Sequence, residues 1–108
     1  MDHRELAAEL FLSDCNCAQA VLEAFGDVTG LEKSFAAKLA SSFGGGMGRM
    51  REVCGAVSGM LMVAGLLYGY DDPGENDVNK KAHYRLVQNL AGQFREKIGS
   101  IICREILS

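Results

Sequence analysis

The chain has no tryptophan, one proline and two histidines, and only 7% of its residues are aromatic. Each shortage removes a class of function. So few aromatic rings offer no stacking platform for nucleobases. Lys and Arg number 11 against 14 Asp and Glu, a net charge of −3 that leaves no basic surface to neutralise phosphates. A nucleic-acid partner is therefore not expected. A single proline argues against a β-rich fold with many tight turns. His3 sits at a fraying start and His83 at the edge of an apolar stripe, so a cysteine hydrolase would lack its base. The opening Met1-Asp2-His3-Arg4-Glu5 is not a positive stretch leading into an apolar run, so no signal peptide is expected and the cytoplasm is the expected compartment.

What is present describes a globular domain. Hydrophobic residues make up 48% of the 108, too many for a disordered chain and enough for one core spanning residues 1–108. Helical periodicity dominates. Leu6, Ala7, Leu10 and Phe11 line one helix, and Ala18, Val21, Leu22 and Phe25 a second that Ser13-Asp14 would cap. Thr29-x-x-Glu32 reads as a capping box for a third, with Leu31, Phe35, Leu39 and Phe43 on its inner face. A turn at Asp71-Asp72-Pro73-Gly74 precedes a long amphipathic helix from about Asn76 to Lys97. Gly99 ends it, and a short helix follows from about Ile101 to Leu107.

Between these lies an uncharged run of 18 residues, Val53 to Tyr70. Its length is the lower limit for a membrane span, but Gly55, Gly59, Gly65, Gly69, Cys54 and Ser58 dilute its hydrophobicity. The amphipathic helices around it need an apolar partner, and a helix apolar on all sides suits a bundle centre. The expected fold is all-α: a compact helical bundle of about five to six helices around a glycine-rich buried central helix, with no membrane association. Gly55-x-x-x-Gly59 would admit a neighbouring helix closely, and the same run would suit packing across a homodimer.

Four cysteines remain to be explained: Cys15, Cys17, Cys54 and Cys103. Cys15 and Cys17 fall in the first turn of the second helix, Cys54 opens the central helix, and Cys103 lies in the first turn of the last. Unpaired N–H groups at a helix start favour a thiolate, and Arg49, Arg51 and Arg104 lie nearby in sequence. Cys15 and Cys17 would point about 160° apart on a helix, so they are poorly placed to bond each other. Gly44-Gly45-Gly46-Met47-Gly48-Arg49 lacks the Gly-Lys-Ser/Thr ending of a phosphate loop. Feeding straight into Cys54, Gly44, Gly45 and Gly46 suggest a nest of N–H groups for an anion or a thiolate.

The segments Asn16-Cys17-Ala18-Gln19-Ala20-Val21-Leu22, Phe43-Gly44-Gly45-Gly46-Met47-Gly48-Arg49, Glu52-Val53-Cys54-Gly55-Ala56-Val57-Ser58-Gly59 and Cys103-Arg104-Glu105-Ile106-Leu107, in that order, resemble the C_GCAxxG_C_C family of bacteria and archaea. The resemblance implies redox activity, with Cys17, Cys54 and Cys103 as the family's cysteines. Two features depart from the pattern. The family carries a further cysteine beyond the Cys-Arg-Glu segment that this sequence does not contain, and Cys15 has no counterpart in it.

The leading expectation is thiol–disulfide chemistry, an oxidoreductase-like activity in which Cys17, Cys54 and Cys103 take part. It requires no cofactor, and its partner is a redox protein or a small thiol or disulfide. Which cysteines pair stays open. The alternative is an electron-transfer module in which Cys15, Cys17, Cys54 and Cys103 bind a metal ion or an iron–sulfur cluster.

Overall fold

The computed structural model describes residues 1–72 and 74–108. Its regular structure is helical, with no strand among the described residues. The segments are α1 (His3–Leu12), α2 (Cys17–Ala24), α3 (Gly26–Thr29), α4 (Lys33–Ala40), α5 (Gly44–Met47), α6 (Gly55–Tyr68), α7 (Val78–Ile98) and α8 (Cys103–Leu107). α3 is a single turn of four residues and α5, with Gly45, Gly46 and Met47 at positive φ, is a left-handed turn and not a regular α-helix, so the longer helices are α1, α2, α4, α6 and α7. The turn expected at Asp71–Gly74 includes Pro73, which lies outside the described residues; beside it, Asp72 Oδ1 accepts from the Gly74 N–H at 3.0 Å.

Asn16, rather than Ser13 or Asp14, starts α2. Its Oδ1 accepts from the Gln19 N–H at 2.8 Å, and Gln19 Oε1 accepts from the Asn16 N–H at 3.0 Å. This reciprocal box satisfies two N–H groups that a helix start leaves open. Ser13 instead closes α1, its N–H donating to Glu9 and Leu10. Cys15 is consequently outside the helix, and Cys17 is its first residue.

Ala18, Ala20, Leu22 and Ala24 of α2 are all buried. Two-residue steps on a helix place these side chains on two opposite faces. α2 is therefore enclosed, packed against α1, α4 and α6. The core joins Ala18 and Leu22 to Ala36, Ala40 and Val63, with Phe25, Leu31, Phe43 and Met62 around them. Leu22, fully buried, contributes roughly 1.5–3 kcal/mol by leaving water.

α4 differs from its sequence pattern. Glu32 caps it, accepting from the Ser34 N–H, while the Thr29 hydroxyl accepts from the Leu31 N–H in the preceding turn. Ala36 and Ala40 face the core, and Phe35 (56% exposed) and Leu39 (44% exposed) face outward. Two alanines let α4 lie close against α2, which bulkier side chains would prevent.

α6 crosses α2 through Gly55 and Gly59. A Cβ added at Gly55 would stand 3.0 Å from Cys17 Cβ and 2.9 Å from the Phe43 carbonyl oxygen. One added at Gly59 would stand 2.9 Å from Val21 Cβ and from the Ala18 carbonyl oxygen. Burial holds over the first part of α6, at Gly55, Val57, Gly59, Val63 and Ala64. Leu66, Leu67 and Tyr68 at its end are exposed, so this helix is not enclosed along its whole length as the uncharged run suggests. α7 packs on α6 and contains no buried residue. No helix among the described residues is long and apolar enough to cross a membrane.

Candidate functional site

Three separate stretches converge at one end of the α2–α6 crossing. The first is the start of α2, which carries Cys17 against Gly55. The second is the glycine-rich turn. Residues 45–49 all have positive φ, which includes Met47 (67°) and Arg49 (65°), and Arg51 follows at 62°. Consecutive left-handed residues are costly outside glycine, by roughly 1–2 kcal/mol each. The turn is held by N–H donations from Arg49 to the Gly44 carbonyl, from Arg51 to Gly45 and from Glu52 to Gly46. The sequence suggests a loop here; a left-handed turn was not legible, because two of its members are not glycine.

The third stretch is the C-terminal segment. Val53 and Ile102 form an isolated antiparallel bridge. The Cys54 N–H donates to the Ile101 carbonyl at 2.7 Å, and the Cys103 N–H donates to the Glu52 carbonyl at 2.6 Å. Arg104 reinforces this pairing: its Nε donates to the Arg51 carbonyl and its guanidinium pairs with Glu52. Arg104 thus clamps backbone and does not act on the neighbouring sulfur. Arg51 takes that place, with Nη1 3.7 Å from Cys103 Sγ.

The result is one cavity of about 650 Å³ whose lining includes Cys17, Cys54, Cys103, the turn glycines Gly44, Gly45 and Gly46, and both Arg49 and Arg51. Phe11, Asn16, Ile106 and Leu107 also line it. Phe11 of α1 and Ile106 and Leu107 of α8 meet at this opening only through the fold, and Asn16 reaches it as the cap of α2. Cys17 and Cys54 are half-buried and Cys103 is buried. All four cysteines are free thiols.

Burial is the main force raising the Cys17 pKa. The charge of Cys54 adds to it, the Cys17 N–H opposes it, the charge of Cys103 adds again, and the Gly45 N–H opposes it. A helix start therefore does not make this thiol acidic, as position alone suggests; desolvation outweighs the N–H groups. The folded protein holds the Cys17 proton more tightly than the unfolded chain. The midpoint of its ionisation lies above the ordinary 9.0, and the associated stabilisation is present below that pH and lost as pH rises through the folded value. Alkylation of Cys17 followed by peptide mapping across pH is expected to give a midpoint above 9.0. A midpoint at or below it would contradict this burial.

Cys15 is apart from the other three. Its Sγ donates to Glu23 Oε2 at 3.5 Å, and it does not line the cavity. Burial, then the Glu23 charge, raises its pKa. The four-thiol ligand set of Cys15, Cys17, Cys54 and Cys103 is therefore not assembled. No group of three or more His, Cys, Asp or Glu side chains is placed to hold a metal ion among the described residues.

An all-helical domain that collects thiols from residues 17, 54 and 103 around one cavity defines a class of cysteine-bearing helical proteins. The family model described as "Putative redox-active protein (C_GCAxxG_C_C)" matches residues 15–108, and the chain belongs to that family. No curated protein and no solved structure matches the chain significantly.

Proposed function

We propose that the protein is a thiol–disulfide redox protein whose working thiols are drawn from Cys17, Cys54 and Cys103. The observation that carries this reading is their convergence on a single cavity from positions far apart in the chain. Cys17 and Cys54 are only half-buried, so the cavity leaves two of the three sulfurs partly open to a substrate.

In the reductive half-reaction, one cavity thiol loses its proton and its sulfur attacks a substrate disulfide RS–SR. A protein–S–SR bond forms, and RS⁻ leaves with the electron pair and takes up a proton. A second cavity thiol loses its proton and attacks the protein sulfur of that mixed disulfide. An internal disulfide forms and the second RS⁻ leaves. Two protein thiols are oxidised and one disulfide becomes two thiols. Negative charge builds on sulfur during both exchanges, and the Arg51 guanidinium beside Cys103 and the N–H groups at the start of α6 are donors for it. A reducing cytoplasm would return the protein to its dithiol form.

The test is intact mass after quenched alkylation, on reduced protein equilibrated across a range of redox potentials. Two alkylation sites are expected to disappear together at a potential within reach of the cytosol. If all four thiols react at every potential, internal disulfide formation is excluded.

A further inference from the structure

We infer that the cavity selects small anionic disulfides, molecules with a short apolar body and carboxylate-like ends. This rests on the thiol–disulfide reading and names its substrate class. The first observation is charge. Arg49 and Arg51 line the cavity, and no Asp or Glu does so among the described residues. Among the described residues neither arginine belongs to an ion pair, whereas Arg104 next door is paired with Glu52. Two unneutralised guanidinium groups stand at one opening of a protein whose net charge is −3, so this positive mouth does not follow from the general surface.

The second observation is placement. A Cβ on Gly45 would lie 2.9 Å from Arg49 Cγ and 3.5 Å from Arg51 Nη1, so both side chains fold over that residue. Arg51 in turn reaches the Cys103 sulfur, Nη1 to Sγ at 3.7 Å. One cation therefore flanks a cavity sulfur, and the second lines the same cavity beside it. The same planar fork that reaches the Cys103 sulfur suits a carboxylate.

The third observation is shape. Phe11, Ile106 and Leu107 supply an apolar wall, and 650 Å³ falls within the range of small-molecule pockets. A dianionic disulfide would lay its alkyl chains on this wall and its ends on Arg49 and Arg51. It would take two electrons from two cavity thiols and leave as two anionic thiols.

The test uses three disulfides of similar size and different charge: 3,3′-dithiodipropionate (dianionic), bis(2-hydroxyethyl) disulfide (neutral) and cystamine (dicationic). Each oxidises the reduced full-length protein at low salt, and its rate is divided by its rate with free 2-mercaptoethanol. The normalised rate is expected to be about thirtyfold higher for the dianion than for the neutral disulfide, given two charge contacts near 4 Å in water, and lowest for the dication. About 1 M salt should collapse the difference. Arg49→Gln and Arg51→Gln should each reduce the anion-to-neutral ratio, and both together should bring it near one, with thermal melts reporting that the variants fold. Equal normalised rates in the unsubstituted protein, or preference for the dication, would overturn the substrate class while leaving the dithiol reading intact. Failure of all three disulfides to oxidise any pair would overturn both.

Discussion

Replacing Gly46 by alanine is expected to destabilise the protein by about 2–5 kcal/mol and to disorganise the cavity. Gly46 has φ +75° and is buried. An added Cβ would stand 2.6 Å from Cys103 Cβ, 2.8 Å from the Glu52 nitrogen and 2.9 Å from Arg51 Cα. Two of these neighbours are backbone, fixed by the Val53–Ile102 pairing, so they cannot move aside cheaply. Overpacking of this kind costs about 1–3 kcal/mol, and the left-handed conformation adds roughly 1–2 for a residue with a Cβ. Gly30→Ala separates the two effects. Gly30 has φ +76° but nothing within 4 Å of an added Cβ, so it should lose only the conformational part. Urea unfolding measures both, as a shift in midpoint at unchanged slope. Equal losses at the two sites would mean that Gly46 is not wedged against Cys103.

Serine substitution of single cysteines is expected to divide them into two groups. Cys15→Ser should leave the redox-dependent loss of two alkylation sites unchanged, because Cys15 is held by Glu23 outside the cavity. Among Cys17→Ser, Cys54→Ser and Cys103→Ser, the two that remove members of the internal pair should abolish that paired loss. The third should leave it intact and so name the spare thiol. The effect is close to all-or-none, since an internal disulfide cannot form from one sulfur. The readout is quenched-alkylation mass at each potential. Abolition by Cys15→Ser would place the chemistry elsewhere and contradict the convergence of the other three.

The helical character was legible because periodic apolar residues and helix-ending glycines are local signals. Cys54 at the opening of the central helix and Cys103 in the first turn of the last were readable for the same reason, although α8 starts at Cys103 itself rather than near Ile101. The α2 start was misplaced because Ser13 and Asp14 are good caps in isolation, whereas Asn16 wins through its reciprocal bonds with Gln19. The inner face of α4 was misread because periodicity favours large residues. Here close approach to α2 selects Ala36 and Ala40 and leaves Phe35 outside. The site itself was only partly legible. Cys17, Cys54 and Cys103 stand out by type, and Arg51 was noted for its nearness to Cys54 in sequence. Its contact with Cys103, 52 positions away, depends on the bridge and cannot be read locally.

The bridge between Val53 and Ile102 has a consequence for chain topology. It closes the intervening segment into a loop whose base is pinned next to the sulfurs. α6 occupies the first part of that loop and belongs to the core, but α7 makes an outward excursion with no buried residue. Loop-closure entropy grows only with the logarithm of length, about 0.6 kcal/mol for each doubling. The excursion is therefore thermodynamically elastic: α7 can be lengthened, shortened or given a cargo while the base of the loop stays stitched. One two-residue pairing thus divides the cysteine-lined cavity from a helix that the core does not enclose.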